Sequence, residues 1–355
     1  MLLAKTLESI GGLDREAMKN ARRRVDSLIK PPGSLGRLED LAVQLAGIQG
    51  RALPEYGKSC VILMAGDHGV VDEGVSAAPR EITYQMLSAF TGGVAGISVL
   101  SRLAGTGLVV VDVGVAAPVD IPGVLQHKVR QGAGNIAAGP AMTRDEAVQA
   151  LEVGISVAQK KIEEGFMFLA TGEMGIGNTT PSSAILAALA GVPAEEATGR
   201  GTMVSDRVME RKVWAVSEAL RVNRPDPQDG VDVVAKVGGL EIAGLAGVIL
   251  GAAAKRAPVI IDGFISTAAA MIACAINSRA VDYIIPSHLS GEQGHRLMLD
   301  HLGLKPILHL DMRLGEGSGA VLALPIVEAA CRIMKEMASF DQAGVSDLDE
   351  EKLQK

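Results

Sequence analysis

The stretch SCVILMAGDHG, residues 59–69, decides the fold. Six apolar residues in a row, Cys60 to Ala65, break at Gly66 into a polar loop carrying Asp67 and His68. A short apolar run closed by glycine reads as a strand buried on both faces, with a loop free for function at its carboxyl end. The pattern returns at GLVVVDVGV (107–115), FMFLATGEMGIGN (166–178), APVIIDGF (257–264), AVDYIIPSHLSGE (280–292) and PILHLDMRLGEGSGA (306–320). Segments with helical spacing follow at 143–164, 181–189, 205–222, 240–255, 267–277 and 319–337. Alternating apolar strands and helices predict an α/β fold: a mainly parallel, Rossmann-like sheet with helices on both faces and ligands gathered at the strands' carboxyl ends.

Ahead of the first strand, residues 14–30 carry apolar positions at helical spacing until Pro31-Pro32 stops them, and 38–48 reads as a second helix. The sequence therefore predicts an α/β nucleotide-binding core over 59–319 and a smaller helical lobe from 1–58 with 320–340. The polar stretch 341–355 reads as a flexible acidic tail. Arg22, Arg23 and Arg24 sit among Asp14, Glu16 and Asp26 and read as a solvated helix face. The segment 223–230 reads as a turn-rich loop between two helices.

Composition narrows the function. The 355 residues include 42 glycines and only 3% aromatics, so small residues must fill much of the core. Lys and Arg number 34 against 41 Asp and Glu, a net charge of −7 that excludes a nucleic-acid partner needing a basic field. Cys60, Cys274 and Cys331 lie far apart, which fits neither a zinc site nor a disulfide framework. The first residues are charged early and lack a signal-peptide pattern, and apolar runs are interrupted before the ~20 residues a membrane span needs. A cytoplasmic protein is expected, with no membrane partner.

Within GEMGIGNTTPSSA (172–184), Gly175 and Gly177 precede Asn178, Thr179 and Thr180 at a helix start. Glycines let backbone N–H groups converge, hydroxyls add donors, and the helix N-terminus favours an anion, so the loop reads as a phosphate cradle. A tight strand-to-helix turn with a threonine cap accounts for the same residues. GRGT (199–202) adds a second anion-friendly turn. Neither a Walker A loop nor GxGxxG is present, which disfavours ATP and dinucleotides. Glu173 and Glu316 are acids in glycine settings after strands, placed for acid–base work or ribose binding unless they are merely solvated. Asp67-His68 and the group His288, Glu292 and His295 raise a metal site, but no paired ligand spacing supports one, so none is expected.

Taken in order, KPPGSLGRLEDLAVQLAGIQG, AGDHGV, GEMGIGNTTPSSA, VGGLEIAGLAG, IIDGFISTAAA, SHLSGEQGH and LDMRLGEGSGA resemble the nicotinate-nucleotide:dimethylbenzimidazole phosphoribosyltransferases of cobalamin biosynthesis. The resemblance implies transfer of a 5-phosphoribosyl group from nicotinate mononucleotide to a benzimidazole-type base, without a cofactor, in a homodimer. By the same resemblance Glu316 is the catalytic base. Glu173, Gly175, Gly177, Asn178, Thr179, Thr180, Gly201, Lys212, Asp262, Gly263, Ser290 and Gly291 match the nucleotide pocket. Ser76, Gln85 and Leu314 match the base pocket, although Ala77, Ala78 and Arg80 depart from the family's pattern there. By residue pattern alone Lys212 stays unassigned, since a lone helical lysine is usually a solvated face residue. The competing readings are a nucleotide-binding oxidoreductase and a non-catalytic nucleotide sensor on the same fold.

Overall fold

A computed structural model describes residues 1–201 and 205–346. Six strands form one parallel sheet: β1 (Ser59–Gly66), β2 (Gly107–Gly114), β3 (Val124–Gln126), β4 (Phe168–Met174), β5 (Val259–Ile261) and β6 (Ile284–Pro286). Their spatial order is β3-β2-β1-β4-β5-β6, and every neighbouring pair is parallel. This is the order of doubly wound nucleotide-binding folds, and it reverses direction between β1 and β4. All eight residues of β1 are buried. Because successive side chains point to opposite faces of a strand, that burial requires cover on both faces of the sheet.

The sheet is as expected, but its sixth member is not. PILHLDM supplies only β8 (Leu308–His309), which pairs with β7 (His288–Leu289) in a separate two-stranded parallel sheet. His309 is exposed, so this run is not an interior strand. The sixth place goes to β3, an edge strand of three residues too short to stand out in sequence. Helices Glu81–Thr91, Gly96–Ala104, Gly230–Val237 and Gln293–Leu302 were also outside the sequence reading. The segment 223–230 is, as expected, a turn-containing loop between two helices, and it ends in a cap: Asp229 Oδ1 accepts from Val231 N at 3.0 Å and Asp232 N at 3.1 Å.

The glycine excess has a packing cause. Helix Arg144–Glu163, opened by a Thr143/Glu146 capping box, lies against helix Leu240–Ala254, which is apolar but for Glu241. A Cβ on Gly154 would collide with the Gly244 carbonyl oxygen, and one on Gly247 with the Leu151 carbonyl oxygen. The two helices meet backbone to backbone, and a larger residue at either position has nowhere to go.

The chain divides into two compact units. One comprises Met1–Gly11 and Lys58–Ala323; the other comprises Gly12–Gly57 and the chain from Leu324 onward. Residues 1–11, assigned by sequence to the helical lobe, instead belong to the larger unit. There Leu3 N donates to Glu152 Oε1 at 2.8 Å and Tyr283 OH donates to Gly11 O at 2.9 Å. In the smaller unit Arg24 is not simply solvated. Its guanidinium donates to Met334 O at 3.3 Å and Met337 O at 2.6 Å, satisfying carbonyls at the end of helix Ser318–Glu336. Lys30 and Glu39 form a buried ion pair at 2.9 Å. The expected flexible tail begins with an ordered turn, because Ser339 and Gln342 form a capping box on helix Phe340–Ala343. Residues 347–355 lie outside the described residues.

Gly247→Val should therefore destabilise the larger unit by roughly 1–3 kcal/mol or prevent folding, as overpacking of a closed interface does. Denaturant unfolding checks this against Gly139→Val, where among the described residues no atom stands within 4 Å of the added Cβ.

Candidate active site

At the sheet's carboxyl edge a cavity of about 340 Å³ lies within the larger unit. Glu173, Gly175, Gly177, Asn178, Thr179, Gly201, Lys212, Asp262, Gly263, Ser290, Glu316, Ser76 and Leu314 all line it. Three other candidates do not. Gln85 lies on the exposed side of helix Glu81–Thr91, while Ile82 and Met86, four residues apart, face the cavity. Thr180 is buried below the loop, and its N–H donates to Gly177 O at 3.1 Å, so that group is spent within the turn. Gly291 is exposed, and its N–H donates to Met312 O at 2.9 Å, tying two loops together.

Asp262, directly after β5, builds the acid centre. Its buried carboxylate accepts from Gly319 N at 2.7 Å, Gly317 N at 3.1 Å and Ala320 N at 3.1 Å, at the start of helix Ser318–Glu336. A carboxylate at a helix N-terminus satisfies donors that the helix cannot and is favoured by its dipole. Burial pushes the Asp262 carboxyl up, while His288 and these backbone donors pull it down. The anchored loop carries Glu316 with φ +64, between Gly315 at +84 and Gly317 at +96. A left-handed glutamate is uncommon and strained, a cost that cores avoid and functional sites retain. Ile97 N donates to Glu316 Oε2 at 3.0 Å. Burial, followed in the opposite direction by that bond and then upward again by Asp262, leaves the Glu316 carboxyl above the ordinary range.

Glu173 faces the same loop from β4. A Cβ on Gly315 would strike Glu173 Oε1, and one on Gly172 would strike the Glu316 carbonyl, so the two acid loops abut through glycines. Burial, with the negative charges of Asp262 and Glu241 adding to it, lifts the Glu173 carboxyl to about 8, although the Asn178 side chain donates to it. Beneath the glycine loop His68 Nε2 and Glu241 Oε1 are 2.7 Å apart, both buried. Within the loop, Asn178 N donates to Gly175 O and Ile176 N to Thr83 Oγ1, each at 3.1 Å. The cradle reading thus narrows to the N–H groups of Gly175, Gly177 and Thr179.

Lys212 is only 1% exposed and donates to Gly199 O at 2.7 Å, contrary to the solvated helix position its sequence pattern suggested. Burial lowers its pKa, and the negative charge of Glu292 opposes that. His295 is structural: Nδ1 accepts Ser290 N at 2.8 Å and Nε2 meets Thr267 Oγ1 at 2.8 Å, which occupies both ring nitrogens. Burial holds it neutral, down at about 3. Thr202 of the second turn lies outside the described residues. The sequence reading missed Glu292, Ile82, Met86 and His288 as lining residues. Glu292 had a legible signal, because SGEQG sets an acid beside glycine after a strand, as at Glu173 and Glu316.

A doubly wound sheet with a glycine cradle and two buried acids at its switch point defines a nucleotide-binding α/β protein with an acid–base centre. Residues 10–345 match a family model described as phosphoribosyltransferase. The chain is 54% identical over 347 residues, 97% of its length and 99% of the relative's, to the nicotinate-nucleotide–dimethylbenzimidazole phosphoribosyltransferase of Desulforamulus reducens. It is 54% identical over 350 residues, 98% of its length and 99% of the relative's, to the protein of the same name from Chloroflexus aggregans. The crystal structure of CobT from Thermus thermophilus superposes with a TM-score of 0.91 at 47% identity, covering 94% of this chain and all of that one. The chain belongs to the nicotinate-nucleotide–dimethylbenzimidazole phosphoribosyltransferase family. The oxidoreductase reading is not favoured.

The raised Glu173 carboxyl has a thermodynamic consequence. Between the ordinary value of 4.5 and about 8 the folded protein holds a proton that the unfolded chain has released, so stability falls as pH rises through that window. Glu173→Gln should remove this part of the fall, at most about 1.4 kcal/mol per pH unit. Urea midpoints of wild type and variant at pH 5, 7 and 8.5 test it; parallel curves would count against a protonated Glu173.

Proposed function

We propose that this chain transfers the 5-phosphoribosyl group of nicotinate mononucleotide to 5,6-dimethylbenzimidazole or a related base. The products are alpha-ribazole 5'-phosphate and nicotinate, and the step belongs to cobalamin nucleotide-loop assembly. The observation that carries the reading is the position of Glu316, whose buried carboxylate lines one cavity with both a glycine cradle and an apolar wall. Val75, Ile82, Met86 and Leu314 supply that wall, suited to a flat aromatic base, and Ser76 adds a polar contact beside them.

One ring nitrogen of the base attacks the anomeric carbon as the bond from that carbon to the pyridinium nitrogen breaks. The electron pair of the breaking bond returns to the pyridine ring, so the leaving group needs no acid. The attacking ring becomes cationic, and the Glu316 carboxylate takes the proton from its other nitrogen. Attack on the face opposite the leaving group inverts the beta-nucleotide to an alpha product without a covalent intermediate. Backbone N–H groups of Gly175, Gly177 and Thr179, with the ammonium of Lys212, bind the phosphate. Gly201, Gly263, Asn178 and Ser290 shape the pocket around the sugar and pyridine. Glu173, protonated at neutral pH, acts as a donor. The protein works as a cytoplasmic homodimer.

Glu316→Gln keeps the bond from Ile97 N but removes the basic oxygen. Single-turnover rates with both substrates saturating should fall roughly 100- to 10,000-fold, the usual worth of a general base. Calorimetric affinity for nicotinate mononucleotide should change little. Near wild-type chemistry would take the role from Glu316, and Glu173→Gln would be the next variant to assay.

A further inference from the structure

We propose that Glu292 reads the sugar of the nucleotide, its carboxylate accepting a hydrogen bond from a ribose hydroxyl. The inference rests on the phosphoribosyl-transfer reading above. Glu292 lines the cavity, is 8% exposed, and its buried Oε2 has no hydrogen-bond partner among the described residues. That oxygen lies so close to Gly199 that a Cβ there would collide with it. On the same residue Lys212 Nζ holds the Gly199 carbonyl at 2.7 Å, so the base of the cavity offers a cation and an unsatisfied anion side by side.

An ionised carboxylate only accepts hydrogen bonds, and leaving one buried without a donor costs free energy. The occupant of this site must therefore bring a donor, and it must bring it without negative charge. Above pH 7 nicotinate mononucleotide presents an ionised phosphate, an ionised ring carboxylate and a quaternary ring nitrogen that bears no hydrogen. Its hydrogen-bond donors are the two ribose hydroxyls. The phosphate suits Lys212, and the hydroxyls suit Glu292.

The other carboxylates that line the cavity are engaged. Glu316 takes Ile97 N, Glu173 takes the Asn178 amide, and Asp262 takes three backbone donors. Dinucleotide folds hold the ribose with an acid following the second strand. Here the acid nearest that place, Asp112, accepts Val115 N at 2.9 Å, faces Lys128 at 3.3 Å and does not line the cavity. The backbone that carries Glu292 is held in place before any ligand arrives. Its N–H donates to Ser290 Oγ at 3.3 Å, and Ser290 N donates to His295 Nδ1 at 2.8 Å. A turn fixed in advance leaves only the side chain to be ordered on binding.

The test is calorimetric binding of nicotinate mononucleotide and its 2'-deoxy and 3'-deoxy analogues to the full chain and to Glu292→Ala and Glu292→Gln. Wild type should bind one of the deoxy analogues roughly 10- to 100-fold more weakly, the usual worth of a hydrogen bond to a charged group. In Glu292→Ala that ratio should fall toward one, and Glu292→Gln, which keeps an acceptor without the charge, should lie between. Should Glu292→Ala not fold, the wild-type ratio and Glu292→Gln carry the test alone. Variants that bind all three nucleotides more weakly by the same factor would overturn the inference, because the discrimination between hydroxyls would then persist without the Glu292 carboxylate. Equal binding of all three by wild type would overturn it too, while leaving the transfer reading intact. Failure of wild type to bind nicotinate mononucleotide would instead overturn the transfer reading.

Discussion

Asp262 holds the centre in shape. Three backbone N–H groups, from Gly317, Gly319 and Ala320, converge on one buried carboxylate at the end of β5. Those donors belong to the first turn of a helix and to the loop before it, groups that a helix leaves unsatisfied. Because the anchor grips the backbone on the carboxyl side of Glu316, it can keep that residue at φ +64 against its local preference. Ser287 and Thr171 bind the Asp262 backbone in turn, at 3.3 Å each, which links β4, the turn after β5 and the turn after β6 to one residue. The acid loop is thus placed by the sheet and not by its own sequence.

A buried acid raises the pKa of the acids around it. Glu173 and Glu316 each feel the charge of Asp262, and Glu173 also feels Glu241. The two are equally buried, each 6% exposed. What differs is their company: Glu173 feels two further acids and is lifted to about 8, whereas Glu316 accepts Ile97 N and lies two residues from Leu314, which is 58% exposed. In the proposed reaction that sets Glu316 beside the entering aromatic ring and leaves Glu173 as a proton donor.

Glycine serves three different ends in this chain. Between helices Arg144–Glu163 and Leu240–Ala254 it permits backbone contact. Around Glu316 it supplies positive φ on either side of a strained residue. Between the two acid loops it lets carboxylates and carbonyls approach where a methyl group would not fit. All three uses depend on absent side-chain volume, which is why the composition pointed to close packing before any element was placed.

Sequence by itself determined the architecture and most of the site. Buried parallel strands need uninterrupted apolar runs, and loops at their carboxyl ends need glycine and polar residues, so β1, β2, β4 and the acids Glu173 and Glu316 were legible from local pattern. What the sequence could not express was pairing. PILHLD carries enough apolar residues for a strand, yet only tertiary contacts decide that it joins His288–Leu289 while the three-residue β3 takes the sheet's edge. Lys212 looks like any solvated helical lysine until the fold buries it beside Gly199, and Gln85 turns outward because Ile82 and Met86 take the inner face of its helix. Glu292 bore the same local signature as the other two acids, but its unpaired oxygen exists only once the surrounding chains have closed over it. Burial and partner choice are set by residues distant in sequence, and for that reason the surroundings and charge state of these groups were decided by the tertiary structure alone.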